Sequence, residues 1–405
     1  MNKTGHTIQR LCTIILGLIF YTSGVLKLMD PIGAGLIAGE YMKFLHLGFL
    51  RGISLPAGIA VSLIEAGTGI ALMTGVYKKI AACATAVMLA VFTILTALLW
   101  IFNPSMDCGC FGEAVHLSHA QSFLKNIILI GLACAAFIPM DTPGKTPVRK
   151  LAAFWILAVS VAGVSIYSTA VRPMTDFTQF NLSSKLLASE ESAPVREYVS
   201  VFIYEKNGEQ GAFTLDSLPD STWTYVRTET TEKQNVISMT DFPELAIRDA
   251  EGNYCDSLAT GDRVMVLSAY HPEKISKAKW SSIAAFLDNA DEDFTAILLL
   301  AATPQQLDAL IPAGLPEEMS EAIRNHAYYS DYKTLVALNR SNGGATYFQN
   351  GNLIDRWTVR TLPEEDRLSR IARKDATDLM IRSSTDSRLA FQAFFLYSIV
   401  ILLFL

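Results

Sequence analysis

The sequence predicts a membrane α-helical bundle of about five N-terminal spans plus one C-terminal span, with an α/β domain inserted before the last span. Three observations predict it. Five apolar runs, at residues 11–29, 55–76, 80–102, 123–140 and 151–170, precede residue 172, and a sixth lies at 389–405. A helix needs roughly 20 mostly apolar residues to cross a bilayer. The 405 residues are 51% hydrophobic and 18% charged, too apolar for a soluble protein yet too charged for a pure bundle; the mean hydropathy is +0.30. Third, residues 172–388 are polar and alternate between strand-like and helix-like patterns.

The first run carries Lys3 and Arg10 ahead of its apolar core, as a signal peptide would. The run continues through Tyr21 to Leu28 without an A-x-A-like site, and further runs follow, so it is read as a span. Residues 30–54 break the apolar pattern with Gly33, Gly35, Gly39, Glu40, Lys43, His46 and Arg51. There, Ile37, Tyr41, Phe44 and Leu45 fall on one helical stripe, which fits an interfacial helix or an ordinary loop.

Basic residues set the orientation. With the N-terminus inside, inner segments hold Lys3, Arg10, Lys78, Lys79, Lys145, Arg149 and Lys150, against Lys43, Arg51 and Lys125 outside. Residues 172–388 and the loop between the third and fourth runs then share the outer face, the periplasm of a bacterial inner membrane. The net charge of −6 argues against a nucleic-acid partner.

Two ionisable residues lie in or near the bilayer. Glu65 sits roughly 13 Å into the second run at 1.5 Å per residue. A carboxylate at that depth faces a partner or a cavity. Lys27 closes the first run, where it either snorkels to the headgroups or turns inward toward Glu65 in a shared polar pocket. Gly67, Gly69 and Gly75 on the second run permit close helix approach.

The loop after the third run reads Asp107-Cys108-Gly109-Cys110-Phe111-Gly112, with the closest cysteine pair among the six cysteines. Gly109 allows the turn that brings i and i+2 thiols within disulfide reach. Such a small ring is strained and readily reduced. Cys108 and Cys110 are therefore candidates for a redox pair. A structural disulfide, two free thiols, or a metal site with His116 and His119 stay open, although C-x-C is not the usual zinc spacing. Cys12, Cys83 and Cys134 read as small apolar residues within spans.

Beyond a polar linker at 172–194, residues 197–205 alternate as a strand up to the hairpin signal Asn207-Gly208, and 245–248 with 253–257 suggest a second hairpin. Then come strand 263–269, helix 272–289, strand 294–301, helices at 304–310, 316–326 and 332–339, a hairpin across Asn350-Gly351, and a charged helix at 363–379. His271 and Cys255 read as a solvated histidine and a buried inert thiol.

The β-α-β, β-β-α order, the Asn350-Gly351 hairpin and Asp355-Arg356-Trp357 resemble the end of thioredoxin-like domains. In that family a dithiol sits where the first strand enters the first helix. Here that place reads Tyr270-His271-Pro272-Glu273-Lys274. Asn342-Gly343-Gly344 replaces the usual proline before the hairpin. The domain thus resembles a non-catalytic thioredoxin-like relative.

The membrane unit resembles the DoxX-like superfamily, within it the methylamine-utilisation MauE-like branch. The resemblance is carried by Arg10, Leu16-Gly17-Leu18-Ile19-Phe20, Ser23-Gly24, Lys27, Asp30-Pro31, Glu65 with Gly67 and Gly75, and above all Cys108-Gly109-Cys110-Phe111-Gly112. The whole chain also resembles an uncharacterised group of Bacteroidetes DoxX family proteins with a degenerate thioredoxin-like rear half. The resemblance implies a four-helix membrane domain at 1–140, followed by a fifth span at 141–172. A linker and β-rich lead-in at 173–260, the thioredoxin-like domain lacking its CxxC at 261–380 and the last span at 389–405 complete the partition. It further implies electron transfer or disulfide handling in the envelope, with a periplasmic client or a thioredoxin-like partner. No cofactor is evident; a quinone is one acceptor class. The expected function is a thiol–disulfide or electron-transfer component with Cys108 and Cys110 as its pair. The alternative is a non-enzymatic scaffold or assembly factor whose outer domain binds a partner. A carrier built on Glu65 is a third reading, weakened by the lack of evident inverted repeats.

Overall fold

A computed structural model describes residues 3–138, 146–175, 177–182, 184–186, 198–206, 209–214, 223–232 and 243–404. The membrane unit comprises α1 (Lys3–Met29), α2 (Pro31–Phe44), a 3₁₀ turn (Gly48–Ile53), α3 (Ser54–Thr74), α4 (Lys78–Phe102), the short extended segment β1 (Cys110–Glu113), α5 (His119–Phe137) and α6 (Val148–Ala170). Together with the last helix, six helices among the described residues are long and apolar enough to cross a membrane. Their outward residues include Leu18, Ile94, Ile128, Val159 and Leu396, all more than half exposed, as lipid-facing positions require.

Helices in lipid lack a hydrophobic drive toward one another and rely on close backbone packing. Here α1 and α3 meet through glycines. A Cβ at Gly24 would lie 2.5 Å from the Ala66 amide nitrogen, and one at Gly17 would lie 2.9 Å from the Gly69 carbonyl oxygen. At the far end, Arg10 donates from Nη2 to the Met73 carbonyl at 2.7 Å, satisfying an open C-terminal carbonyl of α3.

The segment 30–54 folds as α2 followed by the 3₁₀ turn, and the glycine face of α2 packs on α3. A Cβ at Gly58 would lie 2.7 Å from the Ala34 carbonyl oxygen. Part of its apolar stripe meets protein: Ile37 and Tyr41 turn onto the cysteine loop, and Phe44 lies edge-on against Phe102 at 6.3 Å, while Leu45 is exposed.

A three-stranded antiparallel sheet follows, in the order β3-β2-β4, from β2 (Tyr198–Lys206), β3 (Glu209–Thr214) and β4 (Thr224–Glu232). Lys206 pairs with Glu209 across the expected hairpin, whose turn Asn207-Gly208 lies outside the described residues. Much of the linker expected at 172–194 lies outside them too.

The second sheet has five strands in the order β7-β6-β5-β8-β9. Its chain order runs β5 (Val264–Ala269), α7 (Lys277–Ala290), β6 (Thr295–Leu300), α8 (Leu307–Leu310), α9 (Glu317–Asn325), β7 (Ala327–Tyr329), α10 (Tyr332–Leu338), β8 (Gly344–Gln349), β9 (Asn352–Trp357) and α11 (Glu365–Ala372). Strands β5, β6 and β7 are parallel, whereas β8 and β9 return antiparallel. Every β5 residue is buried, because the sheet is covered on both faces. Met265 and Leu267 face Trp280, Ile283 and Leu287 of α7. Val264 and Val266 face Phe180, Leu186, Leu245, Ile247 and Leu335.

That second face revises the expected partition. Residues 177–182, 184–186 and 243–260, assigned to a linker and lead-in, supply core side chains, and the Leu186 amide donates to the Gly351 carbonyl at 2.7 Å. The expected hairpin at 245–257 is reduced to single bridges of Arg248 with Tyr254 and with Tyr329. The segment lies along the β7 edge instead. The last helix, α12, runs continuously over Ala376–Leu403, starting well before residue 389. Asp375 caps it by accepting from the Thr377 amide at 2.7 Å, which splits the expected helix 363–379 in two. In the bundle, Ser398 on α12 and Tyr21 on α1 share a hydrogen bond of 2.6 Å.

Candidate functional site

The cysteine loop lies across the end of α1. The Cys108 carbonyl accepts from Tyr41 Oη at 2.8 Å, and the Cys110 carbonyl accepts from Ser23 Oγ at 2.6 Å. The Gly112 amide donates to the Gly109 carbonyl at 3.1 Å and closes the turn. Gly109 and Gly112 hold φ at +60° and +65°, the region that favours glycine. A Cβ at Gly109 would lie 2.5 Å from Ile37 Cγ2. Gly109→Ala is therefore expected to displace the loop from α2, at a backbone cost of about 1–2 kcal/mol before the clash. Faster alkylation of Cys108 in the variant would register it; an unchanged rate would refute it.

Directly beneath the loop, Lys27 Nζ lies 2.6 Å from Glu65 Oε2 and 3.3 Å from Ser23 Oγ. The other Glu65 oxygen accepts from Ser23 Oγ at 2.6 Å. The Lys27 and Glu65 side chains are 11% and 4% exposed, so the lysine turns inward and does not reach the headgroups. Its stem supports Gly112, where a Cβ would stand 3.3 Å from Lys27 Cγ. The hydroxyl of Ser23 has one proton for two close acceptors, the Glu65 carboxylate and the Cys110 carbonyl.

The structure thus brings together all four residues singled out in the sequence. Cys108 and Cys110 are free thiols, the first buried and the second half-buried. Burial pushes the Cys108 thiol above its ordinary range; Cys110 and Asp107 add to this, while Ser122 and Lys125 oppose it. The two histidines are engaged elsewhere. His119 places Nδ1 at 3.2 Å from Asn103 Oδ1 and Nε2 at 2.9 Å from the Met106 carbonyl, and His116 pairs with Asp107 at 3.2 Å. Among the described residues no group of three or more His, Cys, Asp or Glu is placed to hold a metal. His271 pairs with Glu273 at 2.9 Å, and Cys255 is half-buried.

Sequence reasoning missed the cation that joins the two halves of the molecule. Arg340, in the loop between α10 and β8, donates from Nη2 to Asp30 Oδ2 at 2.7 Å and also contacts Glu113. Asp30 uses its other oxygen to cap α2, accepting from the Gly33 amide at 3.1 Å, where the helix dipole favours an anion. Glu113 follows the cysteine loop directly. Its carboxyl is pushed up by burial and by Asp30, more than Arg340 pulls it down. Lys333 with Glu40 at 2.6 Å, and the Met174 amide with the Met29 carbonyl at 3.0 Å, complete the docking. Asp30-Pro31 stood out only among the residues that carry the family resemblance; nothing in the sequence marked Arg340 as its partner.

The fold and this site define a multi-pass membrane protein with a mixed-sheet domain docked over a polar intramembrane pocket. Residues 5–139 match the family model of methylamine utilisation protein MauE. The N-terminal unit of this chain is MauE-like. Residues 198–234, which contain the three-stranded sheet, match a domain of unknown function, DUF8463. Neither the curated proteins nor the solved structures returned a match.

Proposed function

We propose that this chain is a thiol–disulfide exchange component of the bacterial inner membrane, with Cys108 and Cys110 as its working pair on the periplasmic face. The carrying observation is the loop itself: two unbonded thiols on a glycine turn, anchored through their own carbonyls to Tyr41 and to the Ser23–Lys27–Glu65 pocket. Access assigns the roles. Half-buried Cys110 attacks a client disulfide as a thiolate, forming a mixed disulfide and releasing one client thiolate. Cys108, as a thiolate, then attacks the Cys110 sulfur and releases the second. One disulfide breaks and one forms, and two electrons pass to the client; the reverse sequence oxidises a client dithiol. Strained pairs of this size favour exchange over stapling.

The sheet order and parallel–antiparallel pattern support a thioredoxin-like reading of the docked domain. In that reading its active-site end faces the membrane. Loop 270–274 and loop 339–343 are tied by Asn342, which accepts from the His271 amide at 3.0 Å and donates to its carbonyl at 2.8 Å. Tyr270 Oη donates to the Arg340 carbonyl at 2.9 Å. A domain without its own dithiol would there cap the loop and present a client. The scaffold reading draws on the same contact, since Arg340 fastens the domain over the loop without any sulfur chemistry.

Cysteine trapping separates the two. A Cys108→Ser chain in cells is expected to accumulate mixed disulfides on Cys110, and Cys110→Ser to accumulate few. With an impermeant alkylator, Cys110 should react first. Cys108 labelling should keep rising with pH past the point where an ordinary thiol, with pKa about 8.5, levels off, since its thiolate forms later. A Cys108–Cys110 bond that never exchanges with reductant or client would leave the scaffold reading standing alone.

A further inference from the structure

The geometry points to a second, separate site on the face opposite the cysteine loop: a basic cavity for a phosphate-bearing anion among the ends of α1, α3, α4, α5 and α6. The cavity measures about 240 Å³, smaller than one for a drug-sized ligand and suited to a single headgroup. Its wall carries Arg10, Lys78 and Lys150, each from a different helix, and no aspartate or glutamate among the described residues. Arg10 and Lys78 both act on the half-buried Lys150 as like charges. Arg10 donates to the Leu72 and Met73 carbonyls at 3.4 and 2.7 Å. These acceptors are neutral, so they place the guanidinium without cancelling its charge, and its fork has further donors. Among the described residues no carboxylate pairs with Lys78 or Lys150.

Basic residues at span ends commonly set orientation and no more. Two features set these apart. Lys78 opens α4 and Lys150 lies in the first turn of α6, where the positive end of the helix dipole disfavours a cation. Neither helix has an acidic residue in that turn or a side-chain cap at its N-terminus, so the first backbone N–H groups lack a side-chain acceptor. Side-chain cations and helix ends thus bring positive charge to the edge of one concave space, and an anion there relieves their repulsion. The second feature is the lining beyond the charges. Ala71 and Ala81, one turn deeper in α3 and α4 than Gly75 and Lys78, border the cavity together with Phe137. Charge at the rim over an apolar floor matches a phospholipid, whose phosphate sits at the bilayer surface above its acyl chains. Basic pockets between membrane helices hold anionic headgroups in this way. Soluble phosphate compounds reach the same cations.

The full chain in neutral detergent at constant ionic strength is titrated with inorganic phosphate. Parallel titrations use phosphatidylglycerol or phosphatidylcholine in mixed micelles. The readout is the midpoint of heat unfolding by tryptophan fluorescence, which rises when a ligand binds the folded state. A rise with phosphatidylglycerol but not with phosphate assigns a lipid headgroup, and a rise with phosphate assigns a soluble anion; both support the site. Lys78→Gln with Lys150→Gln should raise the half-saturating concentration by about tenfold or more. Lys79→Gln with Arg149→Gln removes the same charge from adjacent positions outside the cavity wall, and should leave that concentration nearly unchanged. Should the first pair fail to fold, Lys150→Gln alone should show a smaller shift in the same direction. No rise with either anionic probe, a rise with phosphatidylcholine equal to that with phosphatidylglycerol, or the same response in both pairs of variants overturns the site.

Discussion

Arg340→Met is expected to destabilise the protein by about 3–5 kcal/mol, one of the two largest losses foreseen. The guanidinium is 5% exposed and faces Asp30 at 4%. Removing it leaves Asp30 and Glu113 enclosed together without a counter-charge. Arg340→Lys should recover only part of the loss, because a point charge cannot replace a fork that reaches two carboxylates. Denaturant unfolding of the full chain in detergent measures this, and faster alkylation of Cys108 should accompany it as the domain lifts from the loop. A loss under about 1 kcal/mol, the level of a surface pair, would refute the clamp. The pH dependence has a definite sign. The folded-state pKa of Glu113 lies above its unfolded value, so the folded protein binds more protons between those two values. Stability from this group therefore falls as pH rises through that window. Without Arg340 the carboxyl is pushed higher still, so acid should partly rescue the variant.

Glu65→Leu and Lys27→Met should each cost about 3–5 kcal/mol, since either leaves its partner charged within the bundle. The double variant should recover most of that loss, because two apolar residues fill a packed site without stranding a charge. A coupling at least as large as either single loss is expected in the resulting cycle, and near-additive losses would show that the two residues do not act as a pair. The single variants should also loosen the cysteine loop: Lys27 supports Gly112, and Ser23 links Glu65 to the Cys110 carbonyl. Faster labelling of Cys108 in the single variants, but not in a lipid-facing control such as Ile94→Ala, would show it.

Much of the fold was legible because its signals are local. Apolar runs of bilayer length marked the spans, with ends displaced by only a few residues except at the starts of α1 and α12. The buried strands around Met265 and Leu298 stood out as continuous apolar stretches. Strand β7 did not, since three residues beside a helix end carry no period. Phe180 and Leu186 were hidden in a polar stretch, and only the cavity they fill beneath Val264 and Phe348 makes them core. Within the site, Cys108, Cys110, Lys27 and Glu65 were each legible as chemical oddities: a close thiol pair, and charges where apolar residues belong.

Their relation was not legible. Lys27 and Glu65 occupy different depths on antiparallel helices, and only the glycine-mediated approach of α1 to α3 lets the lysine stem fold inward and meet the carboxylate. By itself the sequence determined the spans, the mixed α/β pattern and which charged and thiol-bearing residues stand out, because these follow from the polarity of neighbouring residues. Tertiary structure alone decided that the cysteine loop rests on the charged pocket and that Arg340 reaches Asp30 across the whole chain. Such contacts depend on which surfaces meet once helices and sheet have formed. A lone arginine or aspartate carries no mark of its partner until burial removes the water that would otherwise serve both.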